Sequence, residues 1–398
     1  MEVIELRILY FSAMNINLLE LSGVAKKIIA QCNAFREQCG ENNVYLASFD
    51  ENNNFVIRGK DYYHDIKYKK SNRRQLRLSR IYPNLAQVID ELSIDVVYFR
   101  AYNLTFQTIK LFKKIKSFHV KIYMEIPTYP FWKEKRFSII NNLKRRKIVL
   151  AASETASMIL YGATTLTLKK YIDVIVTFSN IKSLWGIPVL GISNGYDFEN
   201  TLVSKKNINQ DSKYHLLVVA SIRRNHGIDR IIESIYQFRK DTGINKFVLH
   251  VVGTGDALDE LKNQVRSMKD YSDSIIFHGA KYGHDLESVY DISDVGISAL
   301  GFHRFNVGYI SPLKSKEYFA KGLPCVGTEN EEDIIFSSAK KYFFTVSADD
   351  SNIDMNKLLD FCKEMESIPD INNKIHITTK EIFDWRVIMK LVVDSMKE

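Results

Sequence analysis

The chain has 398 residues, of which 45% are hydrophobic and 26% charged, and a formal net charge of +8. That length fits two domains, and that composition excludes a disordered, collagen-like or low-complexity chain. No apolar run approaches the roughly 18 residues of a membrane-spanning helix, and the four cysteines are too few for a disulfide framework.

In chain order, short β-branched and aromatic runs alternate with helical patterns. Strands are expected at 7–12, 44–49, 95–100, 120–126, 173–179 and 189–194, with helices at 22–39, 83–92, 105–116 and 153–171. The strands are nearly all apolar, as parallel strands buried on both faces should be. Residues 194–197 read as a turn, and the polar stretch 200–213 reads as a linker. The rhythm then restarts, with strands at 216–220, 247–252, 274–277, 295–299, 325–328 and 342–346. Helices fall between them at 227–242, 256–269, 285–292, 313–321 and 355–366, and a last helical segment covers 380–396. The alternation argues βαβ units, so the expected class is α/β with two Rossmann-like, doubly wound domains facing across a cleft. The expected divisions are 1–199, a linker at 200–213, 214–376, and a closing helix over 377–398 that returns to the first domain. Ligands of such sheets sit beyond the carboxyl ends of the strands.

Charge is uneven. Residues 1–200 hold 29 Lys+Arg and 18 Asp+Glu, a net of +11, whereas residues 201–398 hold 26 and 29, a net of −3. One basic cluster comprises Lys67, Lys69, Lys70, Arg73, Arg74, Arg77 and Arg80. The other comprises Lys133, Lys135, Arg136, Lys144, Arg145, Arg146 and Lys147, and both have aromatic neighbours, Tyr129, Phe131, Trp132 and Phe137 among them. Such a face suits anionic lipid headgroups, a lipid pyrophosphate or nucleic acid; a solvated basic surface is the plain alternative. The first five residues carry Glu2 and Glu5 where a secretion signal would be basic. With reduced thiols, this leads to an expected cytoplasmic location.

The most informative stretch is 311–324 (SPLKSKEYFAKGLP), which reads as loop, helix, glycine stop and a proline leading a buried strand. A helix starting at Leu313 offers free N–H groups to a phosphate, with Lys314 beside them, and Glu317 one turn on could accept from a ribose diol. On pattern alone, Lys314, Lys316 and Glu317 could equally be surface helix charges. Glu125 ends an apolar strand and enters a proline-bearing turn. It could serve as general base or stabilise positive charge on a sugar, or could pair with a basic residue to fix the turn. Gly23 permits close backbone approach to a ligand or merely starts a helix. No GxGxxG, Asp-x-Asp, GxxxxGK[ST], zinc spacing or Gly-x-Ser-x-Gly elbow is present.

Residues 311–324 resemble the donor-binding signature of bacterial family 4 glycosyltransferases, proline–x–lysine–x–x–glutamate–tyrosine ending in glycine–x–proline. Other pieces agree in order: 218–230 (VVASIRRNHGIDR), the glycine turn with Gly253 and Gly255, and 277–280 (FHGA), with Gly279 and Ala280. Residues 125–130 (EIPTYP) and 193–197 (SNGYD) resemble a subgroup that builds surface polysaccharides. The resemblance implies a GT-B fold and transfer, with retention, of a hexosyl group from a nucleotide-diphospho-sugar. It favours a UDP-sugar over a GDP-sugar and implies no cofactor or obligatory metal. The acceptor implied is a lipid-linked or other saccharide, held by the N-terminal domain at the inner face of the plasma membrane, with no nucleic acid as partner.

Departures from the family pattern shift the expected site. Tyr309 stands where a glutamate is usual, eight positions before Glu317. The sugar would then be held by the amides of Val307, Gly308 and Tyr309, or by Arg304. Ser221 and His226 replace the arginine and lysine that normally grip the diphosphate. Arg223 or Arg224 could stand in for the arginine and a protonated His226 for the lysine; a neutral His226 would still donate one hydrogen bond. A non-catalytic partner subunit and a nucleotide-sugar epimerase remain as alternatives.

Overall fold

The computed structural model describes residues 6–16, 22–70, 74–101, 104–127, 136, 139–140, 142–143, 146–205 and 212–398. Arg73, Thr128, Tyr129, Pro130, Phe131, Trp132, Lys133, Lys135, Phe137, Lys144 and Arg145 lie outside the described residues, as do 206–211 of the expected linker. The chain divides into two compact units, Met1–Ser193 with Trp385–Glu398, and Asn194–Asp384.

The first unit holds a sheet built on β1 (Ile8–Asn15), β2 (Val44–Phe49), β5 (Val96–Arg100), β6 (Lys121–Ile126), β7 (Val174–Thr177) and β9 (Ile187–Gly191). These pair in parallel in the order β2-β1-β5-β6-β7-β9. β1 and β5 are buried along their whole length, which explains their largely apolar sequences, with polar groups confined to Ser12, Asn15 and Arg100 toward their carboxyl ends. Three short antiparallel strands, not expected from sequence, extend the edges: β3 (Phe55–Arg58), β4 (Tyr63–Ile66) and β8 (Ser183–Leu184). β4 is half-exposed and polar, so it carries no apolar run. The helix Arg74–Glu91 starts well before the expected 83 and runs through Pro83, whose ring lies on the exposed face. Its inner face (Ile81, Leu85, Val88, Ile89) packs into the core, and that burial outweighs one missing hydrogen bond.

The second unit is wholly parallel, in the order β12-β11-β10-β13-β14-β15. These strands are β10 (Tyr214–Val219), β11 (Phe247–Val252), β12 (Ile275–Gly279), β13 (Val295–Ile297), β14 (Cys325–Thr328) and β15 (Phe343–Val346). In chain order this is the 3-2-1-4-5-6 doubly wound pattern, whose direction reverses between β10 and β13. Their pairing is brief, Leu216 with Val295 and Leu217 with Gly296. Tyr318, from the helix Leu313–Ala320, lies over Gly296, and its hydroxyl accepts the Val219 N–H at 3.0 Å. A Cβ at Gly296 would come within 2.3 Å of that ring.

The unit boundaries differ from the expected 199 and 376. Asn194 donates to the Ser311 hydroxyl at 2.9 Å, and the Tyr196 N–H bonds to Phe383 O at 2.9 Å, so this turn belongs with the second sheet. The expected closing helix is two helices, Ile371–Phe383 and Trp385–Lys397, broken at Asp384. Only the second joins the first unit, where it packs on the helix Ser22–Cys39.

Candidate active site

The switch between β10 and β13 brings together the loops that follow both strands. The short turn Arg224–His226 ends in Gly227, at φ 62°, and this glycine sits against Leu300 and Gly301 of the other loop. A Cβ there would lie 2.6 Å from the Leu300 carbonyl carbon, so only glycine lets the loops touch. The Leu300 N–H donates to His226 O at 2.9 Å and locks the pair. Gly253 and Gly255 serve similar packing, against the backbone of Ala220 and Ile222, rather than lining open space. Gly279 has open space beside it, and Ala280 is exposed.

The helix Leu313–Ala320 starts beside these loops, with Pro312 at its N-cap and no side chain capping it. Lys314 Nζ is buried and makes no hydrogen bond. Burial draws its pKa down from 10.5 to about 8, against the pull of Glu331, Cys325 and Glu317, so the ammonium stays protonated at neutral pH. His226 Nδ1 is likewise buried without a partner. Burial, then the charges of Lys314 and Arg223, push the His226 pKa down to about 2. The expected protonated His226 is thereby corrected: the imidazole is neutral and offers a single N–H. Arg223 is exposed.

Two other expected anion binders are committed elsewhere. Arg224 donates to both carboxylate oxygens of Glu260, from Nε at 3.1 Å and from the guanidinium end. Arg304 grips Asp229 at 3.0 and 2.8 Å and Asp350 at 2.7 Å. Each arginine found a carboxylate within its own surface, which sequence spacing did not reveal. In the loop that Arg304 braces, Val307 is buried and Gly308 exposed, while burial raises the Tyr309 phenol. The amides of Gly308 and Tyr309 make no bond among the described residues.

Glu317 Oε1 accepts the Tyr196 hydroxyl at 3.0 Å, and the charge of this carboxylate also acts on the buried Tyr290 phenol. The two motifs 193–197 and 311–317, far apart in sequence, thus meet in one unit. Nor are the helix charges surface groups. Lys316 is fully buried, 2.7 Å from Asp333 Oδ2, with its ammonium 5.0 Å from the centre of the Phe383 ring. Asp333 also accepts from Ser311 at 2.6 Å. Buried Glu331 accepts from Ser315 at 2.7 Å, and burial raises its pKa to about 7. Sequence reading passed over Tyr196, Glu331 and Asp333. The available signal was an acid-rich turn directly after a buried strand, opposite a lysine-rich helix.

In the first unit, the expected role of Glu125 as an open base is corrected. Its side chain is fully buried. It pairs with the Arg100 guanidinium, lies 3.5 Å from Lys27 Nζ, and accepts from Tyr98 at 2.8 Å and Gln31 at 3.0 Å. Burial alone would raise this carboxyl; Arg100 and Lys27 outweigh it and hold it below its usual range. Lys27 is drawn down to about 7 by burial, and its ammonium lies 3.6 Å from the Phe178 ring centre. A carboxylate so fully partnered braces the strand end. Gly23 is exposed, and a Cβ there would touch nothing.

Residues 213–358 match the family described as Glycosyl transferases group 1. No curated protein matches the chain by sequence. A glycosyltransferase from Rickettsia africae superposes with a TM-score of 0.62 at 13% identity, over 99% of this chain and 98% of that one. Anabaena HepE, solved in complex with UDP and glucose, gives 0.57 at 11% identity, over 99% and 100%. WaaG, a glycosyltransferase involved in lipopolysaccharide biosynthesis, gives 0.56 at 12% identity, over 98% and 99%. At such identities the likeness is one of fold. The chain has the GT-B fold, and the match to the group 1 family lies within its second unit.

Proposed function

We infer that the protein is a retaining glycosyltransferase that moves a hexosyl group from a nucleotide-diphospho-sugar, a UDP-sugar before a GDP-sugar, to a saccharide acceptor. The acceptor we propose is a lipid-linked precursor of a surface polysaccharide, handled at the cytoplasmic side of the membrane. One observation carries the donor reading: the buried, unpartnered ammonium of Lys314 at an uncapped helix start. A buried ammonium with no hydrogen bond is costly, and a diphosphate supplies the missing acceptors. The group 1 domain over the same residues and the UDP held by HepE support it.

The chemistry then follows from charge. As the glycosidic bond to the diphosphate breaks, negative charge grows on the leaving oxygen. Lys314 and the N–H groups at the helix start stabilise it, and neutral His226 adds one hydrogen bond. Arg223, exposed beside them, can reach the same anion. The Glu317 carboxylate accepts from the ribose, with Tyr196 fixing its orientation. The amides of Gly308 and Tyr309 are free to bind sugar hydroxyls, the task left open by the absence of a glutamate at 309.

A thermal-shift panel of UDP- and GDP-sugars tests this. A UDP-sugar should raise the melting temperature of the wild type by mass action. Glu317→Ala should fold normally and lose that shift, along with transfer to an added acceptor. A wild type that binds no nucleotide-sugar would sink the reading and leave a non-catalytic subunit in its place.

A further inference from the structure

We propose that the helix Ile148–Leu168 is a docking surface for an anionic lipid bilayer, lying in the headgroup layer with its outer face inserted. The proposal concerns where the protein works and does not depend on the transfer chemistry.

The helix is built inside out. Its buried positions include Thr164 and Thr165 beside Tyr161 and Leu168. The two threonine hydroxyls bond back to the carbonyls of Tyr161 at 2.8 Å and Gly162 at 2.7 Å, so they need nothing from solvent. The outward stripe, spaced three and four residues apart, is Val149, Ala152, Ala156, Ile159, Ala163 and Leu166, all exposed and all apolar. Val149, Ile159 and Leu166 are 85%, 68% and 84% exposed. The helix has one charged residue, Glu154, which accepts from Asn142 at 3.1 Å. A water-facing helix ordinarily shows the reverse pattern, and an exposed apolar face of this size marks an interaction site.

Charge selects the occupant. Arg146 and Lys147 stand exposed at the start of the helix, and Lys169 and Lys170 at its end. A second copy would set basic ends against basic ends in either orientation, parallel or antiparallel. An anionic surface instead satisfies both ends while the stripe sinks below the headgroups. No helix among the described residues is long and apolar enough to cross a membrane, so the helix would lie on the bilayer rather than span it.

Flotation with vesicles of phosphatidylcholine, alone or mixed with phosphatidylglycerol, tests the proposal. The wild type should float with the mixed vesicles, and raised salt should weaken binding without abolishing it, because apolar insertion is not screened. Ile159→Ser with Leu166→Ser should cut partitioning by about tenfold. Lys169→Gln should cut it by about fivefold, the weight of one basic residue at an anionic surface. Both variants should keep the wild-type melting temperature and its response to UDP-sugars, which separates failure here from failure of the donor reading. Absence of flotation, or flotation unchanged in the serine variant, would overturn the proposal. So would sedimentation showing self-association that the serine variant abolishes, since the occupant would then be a second copy.

Discussion

Each unit buries a cluster of charges at the carboxyl end of its sheet, and the two clusters are finished differently. Around Glu125, every charge has its counterpart: Arg100 and Lys27 face the carboxylate, and Tyr98 and Gln31 donate to its other oxygen. Around Lys314, the ammonium and the neighbouring imidazole Nδ1 have no hydrogen bond at all. Burial and charge are common to both. What distinguishes a site from a scaffold is whether the protein closes the hydrogen-bond inventory itself or leaves it for a ligand.

The sharpest way to break this contrast is to remove one charge from each cluster. Arg100→Met strands a buried carboxylate and should destabilise the first unit by about 3–5 kcal/mol in denaturant unfolding. Lys314→Met should do the opposite, leaving stability unchanged or improved while weakening UDP-sugar binding by roughly 10- to 100-fold in calorimetry, the loss of one charge-assisted hydrogen bond. If Lys314→Met unfolds the protein and Arg100→Met spares it, the assignments are reversed. A smaller effect is expected of Tyr196→Phe. It frees the Glu317 carboxylate from one hydrogen bond worth about 1 kcal/mol and should raise the donor Kd about fivefold with little change in melting temperature.

The mildest test is pH. Lys314 binds an anion only while protonated, and its pKa lies near 8. Donor affinity should therefore hold below that pH and fall as pH rises through it, with bound diphosphate moving the midpoint upward. His226, drawn to about 2, is neutral across the working range and should add no acid limb. Buried Glu331, raised to about 7 and bearing on Lys314 by its charge, is the group that titrates within the lower part of this range.

Much of this was legible in advance, for a physical reason. Strands buried on both faces are mostly apolar, so β5 and β11 stand out without any partner being known, despite Arg100 and His250. The helix at 313 announces itself through Pro312, its glycine stop and Pro324. Glu125 was left between two roles because its partners are remote: Gln31 lies 94 positions away and Arg100 25. A carboxylate at a strand end looks the same in sequence whether it faces solvent or a buried guanidinium. Arg224 and Arg304 failed for the same reason, each being matched to a carboxylate on another element. Edge strand β4 escaped because it buries only Ile66 and shows no run, whereas β3 escaped through its length of four residues.

The side chain of Tyr318 acts as a tie. By lying over Gly296 and accepting the Val219 N–H, it ties its helix to both β10 and β13 where their pairing ends. The helix that carries Lys314 is therefore gauged against main chain on two strands, which mutation elsewhere in the core cannot easily shift. A methyl group at 296 would press directly on that ring and displace the helix that carries Lys314, disturbing the ammonium without touching a single atom beside it.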